Sequence, residues 1–332
     1  MGLAILLAGY VEQKESVIKI VDQAGREVEI GKVERIVSLW PEATRVLFAL
    51  GIGDRIVGLD SYSKTCPILI RAFPEIKNVT DVGSPLRGTL SIEKLAQLKP
   101  DIIFMRTDDP ELADKLQESL GVPVVCVRMH PPPERKVSFD MITIIGKCVG
   151  KEKRAEEIKN YLERKLSEIT SVTSKIPDSE RPKVYQAFAF DLLKTIGYFD
   201  VIELAGGKNV AESGSKEAWY TVSLEDLLRW NPDIIILHGF GKFMPEDVLN
   251  DPNWQQIKAV KEGKVYRLTL GWAGWDPAGF VINVMQNAKA FHPDRFTFDI
   301  EEESNDIFKF VYGVDSLYTK LKNDYKLSVL DI

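Results

Sequence analysis

The sequence is short of the residues that build metal and redox centres. Its 332 positions include three cysteines (Cys66, Cys126, Cys148) and three histidines (His130, His238, His292). No CxxC occurs, which excludes a zinc knuckle or a thioredoxin-type dithiol; the cysteines read as small semi-buried residues. No HExxH occurs, so a protein-built zinc centre would need unusual ligands. Basic charge is also lacking. The formal net charge is −6, whereas a nucleic-acid binder presents a basic stripe. Neither GxGxxG after the first strand nor GxxxxGK[ST] is present, so no glycine cradle for a dinucleotide or nucleotide phosphate exists. The apolar run "MGLAILLAG" at the start is too short to span a bilayer and lacks a signal peptide's basic start; no other segment could cross one.

What is present is a repeat. "LSIEKLAQLKPDIIF" (90–104) and "VSLEDLLRWNPDIII" (222–236) match position for position at Ser, Glu, Leu, Pro, Asp and two Ile. Each reads as a helix opened by a serine cap, closed by the residue before proline, and followed by a strand buried on both faces. Each half then continues with a helix and a strand, and right-handed crossovers make the sheets parallel. Ahead of the first copy, 17–30 reads as a hairpin, 35–39 as a strand, 42–51 as a helix and 55–59 as a strand. After the second copy, a helix around 253–262 and a strand at 264–270 are expected. Between the halves, Ala155, Ile158, Leu162, Leu166 and Ile169 form a helical stripe opposite charged residues. The lobes are thus expected at 13–149 and 177–292, joined by a stiff helix at 150–176, with a helical extension at 293–332. Two copies of this size are two related lobes and not a solenoid.

In open α/β sheets, ligands bind beyond the carboxyl ends of the strands. The corresponding loops carry Trp40, Asp60, Tyr62, Arg87, Arg106, Thr107, Asp108, Arg128 and His130 in the first half. The second half offers Phe188, Phe190, Trp219, Tyr220, His238, Phe240, Trp272, Trp275 and Asp276. Aromatics give flat apolar faces with polar edges, and arginine gives a planar fork for oxyanions. Trp40, Tyr62, Arg87, Arg106, Trp219, Tyr220, His238, Phe240, Trp272 and Trp275 are the candidate ligand-binding residues. Together they suit a large, flat or anionic metal chelate. His238 or His130 could ligate its metal if the chelate leaves a position open. Trp230 reads as core and His292 as structural.

"RIVSLWPEATRVLFALGIGDRIVG", the two repeat copies and "ELAGGKNVAE", in this order over residues 17–292, resemble the substrate-binding proteins of ABC importers for iron–siderophores, haem and cobalamin. The resemblance implies two Rossmann-like lobes, α/β with mostly parallel central sheets, joined by one long rigid helix. It implies ligand in the interlobe cleft, no catalysis and no intrinsic cofactor. Glu93 and Glu225 match the acidic residues through which family members dock on an ABC permease dimer carrying its ATPase. Negative charge at both positions also suits a helix N-terminus. The family often has Glu where Arg45 stands, which reads as a difference in surface or helix packing. "LLAG" is what precedes a lipoprotein's acylated cysteine, but Tyr10 follows. Residues 1–12 are read as a residual signal or tether segment, the location as extracytoplasmic, and membrane association as through a tether or the permease only.

The expected cargo is a ferric siderophore, with haem, a corrinoid or a nickel or cobalt chelate as alternatives. A Rossmann-type enzyme such as a chelatase, or a surface receptor without transport, are the readings from other classes; for the enzyme a phosphate cradle is missing and nucleophile–base pairs are scarce.

Overall fold

The computed structural model describes residues 17–131, 136–197, 200–212, 219–270, 276–328 and 330. The tether segment expected at 1–12, and Trp272 and Trp275, lie outside the described residues. Alternating apolar residues pair β1 (Ile18–Val21) with β2 (Glu27–Ile30) as an antiparallel hairpin. There follow β3 (Ile36–Ser38), α1 (Pro41–Ala49), β4 (Ile56–Leu59), α2 (Pro67–Ala72), β5 (Thr80–Asp81), α3 (Ile92–Leu98), β6 (Ile102–Met105), α4 (Pro110–Leu120) and β7 (Val124–Cys126). They form a five-stranded parallel sheet of order β5-β4-β3-β6-β7, whose strand order reverses between β3 and β6.

α5 (Asp140–Cys148) and the 22-residue α6 (Glu152–Thr173) lead to the second sheet. Its chain order is β8 (Lys183–Gln186), β9 (Lys194–Ile196), α7 (Asp200–Leu204), β10 (Lys208–Asn209), β11 (Trp219–Thr221), α8 (Leu224–Trp230), β12 (Ile234–His238), α9 (Pro245–Leu249), α10 (Lys258–Lys261) and β13 (Val265–Thr269). β10-β8-β12-β13 is parallel, and β9 and β11 make a separate antiparallel ribbon. Three helices close the chain: α11 (Pro277–Phe291), α12 (Ile300–Tyr312) and α13 (Leu317–Tyr325).

The repeated sequence is a repeated structure. Ser91 accepts from the Lys94 N–H at 3.3 Å and Ser223 from the Asp226 N–H at 3.1 Å. Lys99 and Asn231 each end their helix left-handed, at φ 47° and 45°. The two aspartates have a structural use: Asp101 accepts from the Arg35 N–H and Asp233 from the Lys183 N–H, both at 2.8 Å. Each thereby fixes the start of its buried strand against the neighbouring strand. One expected element is broken. Over 253–262 a short turn at Pro252–Trp254 is followed by α10 alone, because Asn231 accepts from the Lys258 N–H at 2.8 Å and restarts the helix there.

β6 and β12 are buried along their whole length, as strands covered on both faces must be. One cluster covers the outer face of the first sheet and another that of the second. The largest cluster runs from Ile36 and Phe104 through α1, α5, α6 and α11 to Ile236, so the two sheets share one core. Every residue of α11 is buried, including Asn283, Gln286, Asn287 and Lys289. The terminal helices are not an appendage. Tyr312 of α12 lies edge-on to Phe73 at 5.9 Å, and Asp324 of α13 pairs with Arg71 at 3.2 Å. Among the described residues no helix is long and apolar enough to cross a membrane.

Candidate site at the strand ends

β3, β6 and β7 run parallel side by side, so their carboxyl ends share one edge. The register pairs Ser38 with Phe104 and Met105 with Cys126. Two residues beyond these strand ends stand Trp40, Thr107 and Arg128. The Trp40 indole N–H, the Thr107 hydroxyl and the Arg128 Nε–H are each buried with no hydrogen-bond partner. The guanidinium of Arg106 lies over the Trp40 ring, 5.4 Å from its centroid. Asp108 accepts from Arg106 Nε at 2.8 Å and from Arg128 Nη1 at 2.6 Å, so one carboxylate holds both guanidinium groups. Trp40 also caps α1, with Pro41 opening the helix and Glu42 accepting from the Met129 N–H at 2.7 Å.

Beside this edge lies a buried polar network. Thr44 Oγ1 is 2.8 Å from the hydroxyls of both Ser38 and Ser63. Asp60 accepts from the N–H groups of Tyr62 at 2.8 Å and Ser63 at 3.1 Å, yet burial outweighs these bonds and pushes its carboxyl up to about 6. The loop after β5 turns at Gly83, where φ is +85° and a Cβ would lie 2.0 Å from the Thr89 carbonyl oxygen. Farther along that loop, exposed Arg87 stacks on the Tyr62 ring at 4.3 Å.

The second sheet presents aromatics at the equivalent level. Phe188 stands two residues past β8, with Trp219 edge-on at 4.8 Å and Phe190 at 5.9 Å. Phe240 stands two residues past β12, but it is buried in the shared core with its ring 4.7 Å from that of Tyr325. Tyr220 donates to the Ala211 carbonyl at 2.6 Å.

His238 is buried, and burial, reinforced by Arg267, lowers it to about 3. Phe240 N donates to its Nδ1 at 3.2 Å, which puts the proton of the neutral ring on Nε2 and occupies the Nδ1 lone pair. His130 Nε2 faces Asp200 of α7 at 3.2 Å. Among the described residues no three His, Cys, Asp or Glu side chains converge to hold a metal ion. His292 meets the Gly206 carbonyl oxygen at 3.0 Å, a structural role as expected.

Among the described residues, two ion pairs that sequence reasoning did not find join the lobes. One is His130–Asp200. The other is Arg45 with Asp276, the N-cap of α11, at 3.7 Å. Arg45 is one of the most deeply buried side chains, also 3.2 Å from Cys66 Sγ, and Tyr312 donates to Asp276. It is therefore neither a surface residue nor simple packing. The one signal in the sequence was a charge inside the apolar run of α1. Next to His130–Asp200 a cavity of about 350 Å³ is lined by Lys136, Val137, Asp200, Glu203, Asn209 and Glu212. Glu93 and Glu225 stand exposed in the first turns of α3 and α8.

The sequence profile described as "Periplasmic binding protein" matches residues 36–270. An uncharacterized ABC transporter substrate-binding lipoprotein of Bacillus subtilis (strain 168), YvrC, is 25% identical over 315 residues, spanning 88% of this chain and 95% of its own. The molybdate-binding protein MolA of Haemophilus influenzae is 27% identical over 323 residues, spanning 88% and 90%. The structure of MolA bound to molybdate superposes with a TM-score of 0.79 at 24% identity, covering 90% of this chain and 98% of MolA. A nickel–histidine complex of Helicobacter pylori CeuE superposes with a TM-score of 0.74 at 22% identity, covering 94% and 100%. At these identities the two structural likenesses establish the fold.

Proposed function

The chain belongs to the periplasmic binding protein family, and from that premise we propose that it captures a metal-bearing anionic solute between its sheets and hands it to an ABC permease. It is an extracytoplasmic substrate-binding protein of an ABC transporter. Residues 13–149 and 177–292 act as the two jaws around α6, and the solute leaves unchanged. Residue chemistry suits a ferric siderophore, haem, a corrinoid and a nickel or cobalt chelate alike, and the siderophore ranks first as the commonest cargo of the family the sequence resembles. The relatives extend the range to bare molybdate at one end and nickel–histidine at the other. Hydrogen-bond acceptors around a metal are common to these cargos, and arginine, hydroxyl and indole donors on one jaw with aromatics on the other suit them.

The observation that carries the delivery step is the doubled helix. α3 and α8 have the same serine cap and the same left-handed end, and each exposes a glutamate at its second position. Two like surfaces on one chain suit a two-fold partner, and acidic points facing basic pockets steer and orient docking more than they add affinity. Replacing Glu93 and Glu225 together by Ala should abolish solute uptake into vesicles carrying the cognate permease and ATPase. Solute affinity, read by tryptophan quenching, should not change. Normal uptake by the double variant would overturn the docking assignment.

A further inference from the structure

We propose that the hairpin turn at 22–26, between β1 and β2, is a cap on the edge of the first sheet that keeps β7 from pairing with β7 of a second copy of this chain. β7 and β13 are matching strands of the two lobes. Each follows the duplicated buried strand and lies beside it at one edge of its sheet. β7 is an uncharged run of Val124, Val125 and Cys126. An open edge of that kind offers a row of N–H and C=O groups to another chain. The Pro123 carbonyl accepts from the Ile103 N–H at 3.0 Å, and the Val127 N–H donates to the Met105 carbonyl at 2.9 Å, so these residues face β6. Backbone groups alternate sides along a paired strand, which turns those of Val124 and Cys126 outwards.

Each outward group of these two residues is taken. The Val124 N–H donates to Gln117 Oε1 of α4 at 3.3 Å, and the Val124 carbonyl accepts from Arg26 Nη1 at 2.8 Å. The Cys126 N–H donates to Asp22 Oδ2 at 3.0 Å, and the Cys126 carbonyl accepts from the Gln23 N–H at 3.0 Å. One step further, the Arg128 N–H donates to Gln23 Oε1 at 2.7 Å. Of these partners only Gln23 N–H is a backbone group, so the turn ends the sheet where a sixth strand would extend it. The cap is itself held in shape. Asp22 Oδ1 accepts from the N–H groups of Ala24 at 3.0 Å and Arg26 at 2.9 Å, and Arg26 Nε donates to Asp114 at 2.8 Å. The Asp22 side chain is 0% exposed and that of Arg26 13%, so the charges that seal the edge are shielded from water. The other end of the chain treats β13 in the same way at one residue. The Arg267 N–H donates to Ser328 Oγ at 2.8 Å, and the Ser328 N–H donates to the Arg267 carbonyl at 3.0 Å. A second copy is the occupant that fits an uncapped β7. Two copies related by a two-fold axis bring the same strand together antiparallel, and the outward groups of Val124 and Cys126 can then pair reciprocally.

The test compares the full chain with Asp22→Ala/Arg26→Ala and with Asp22→Asn. The double variant strips the cap. Asp22→Asn keeps an acceptor for the Ala24 and Arg26 N–H groups, and so the turn, but sets an amide donor against the Cys126 N–H. It carries the same readouts if the double variant does not fold. Size-exclusion chromatography with light scattering reads the mass, and amide hydrogen exchange reads Cys126, at about 1 μM and about 100 μM, a range in which open strand edges associate. Wild type should be a monomer at both, with slow exchange. At the lower concentration the Cys126 amide of each variant should exchange roughly 5- to 150-fold faster, as a donor that has lost its partner. At the higher concentration the mass should double and the exchange at Cys126 should slow again, because the second copy covers it. Unchanged exchange at the lower concentration would show that the turn does not protect the edge. Fast exchange in a chain that stays monomeric would show that the turn is not what keeps copies apart. A doubled mass with exchange still fast would place the contact away from β7. Each of these results overturns the proposal.

Discussion

At Glu203 the fold works against a charge. Burial first, and then the carboxylates of Glu212 and Asp200, push its carboxyl up to about 7, while the Asn209 N–H at 3.3 Å pulls the other way. A carboxyl raised in the folded chain binds its proton more tightly there than in the unfolded chain. Its stabilising contribution is complete below the ordinary value of 4.5 and is lost as pH rises through about 7. Glu203→Gln keeps the size of the side chain and an acceptor for Asn209. The variant should be more stable than wild type at pH 8 by roughly 1–3 kcal/mol, with solvent on its partly exposed side setting the lower end. The gap should close towards pH 4.5. Thermal melts of both proteins across this range check it, and parallel curves would reject burial as the cause. His238 has the opposite sign. Its ring is held neutral, so its contribution is present above the ordinary value of 6.5 and is lost as pH falls through about 3. Glu203→Gln leaves that acid limb untouched.

The paired elements α3 and α8 end in the same way with different residues. Each helix stops before a proline, which disfavours the right-handed helical region, and both stop residues go left-handed. For Lys99 that conformation is strained, whereas asparagine tolerates it. Asn231 has a second use as acceptor for the Lys258 N–H. Lys99→Gly should therefore stabilise by about 0.5–1 kcal/mol, and Asn231→Gly should gain nothing or destabilise. Urea midpoints of the two variants check this; equal gains would remove the role given to Asn231. The same elements mark how much could be read in advance. "DIIFM" and "DIIIL" announced β6 and β12 because a strand buried on both faces is a continuous apolar run. The break before α10 was not legible, since its cause is a side chain on another element. At the candidate site, the sheet rule led to the strand-end loops in which Arg106 stacks on Trp40. It gave no sign that Phe240 packs on Tyr325 in the shared core. Arg45–Asp276 and His130–Asp200 join residues far apart in the chain, and no local pattern encodes a contact that only lobe packing creates.

On the scale of the whole molecule, the lobes are less separate than a doubled sequence suggests. α6 is one link among several. α11 is buried along its length between α1, α6 and α12, and α13 packs back on α2 of the first lobe. Arg154 on α6 donates to the Val311 carbonyl of α12 at 3.3 Å, a further strut across the same seam. The shared core takes Ile36, Leu47 and Phe48 from the first lobe together with Ile236 and Leu268 from the second sheet. Neither sheet can unfold without exposing apolar surface of the other, which costs about 25 cal/mol per Å². Heating should therefore give one cooperative transition, with the same midpoint for first-lobe and second-lobe probes, despite a length at which lobes often melt apart. The Arg45–Asp276 pair supplies a sharper test, because both groups are buried and they belong to opposite sides of the seam. Removing one partner of such a pair costs about 3–5 kcal/mol, since the other charge is left uncompensated. Arg45→Met should lower the single midpoint for both lobes together. A melt that splits in two, with the second lobe unmoved, would mean that the seam is a contact between independent domains and that the shared core does not couple them.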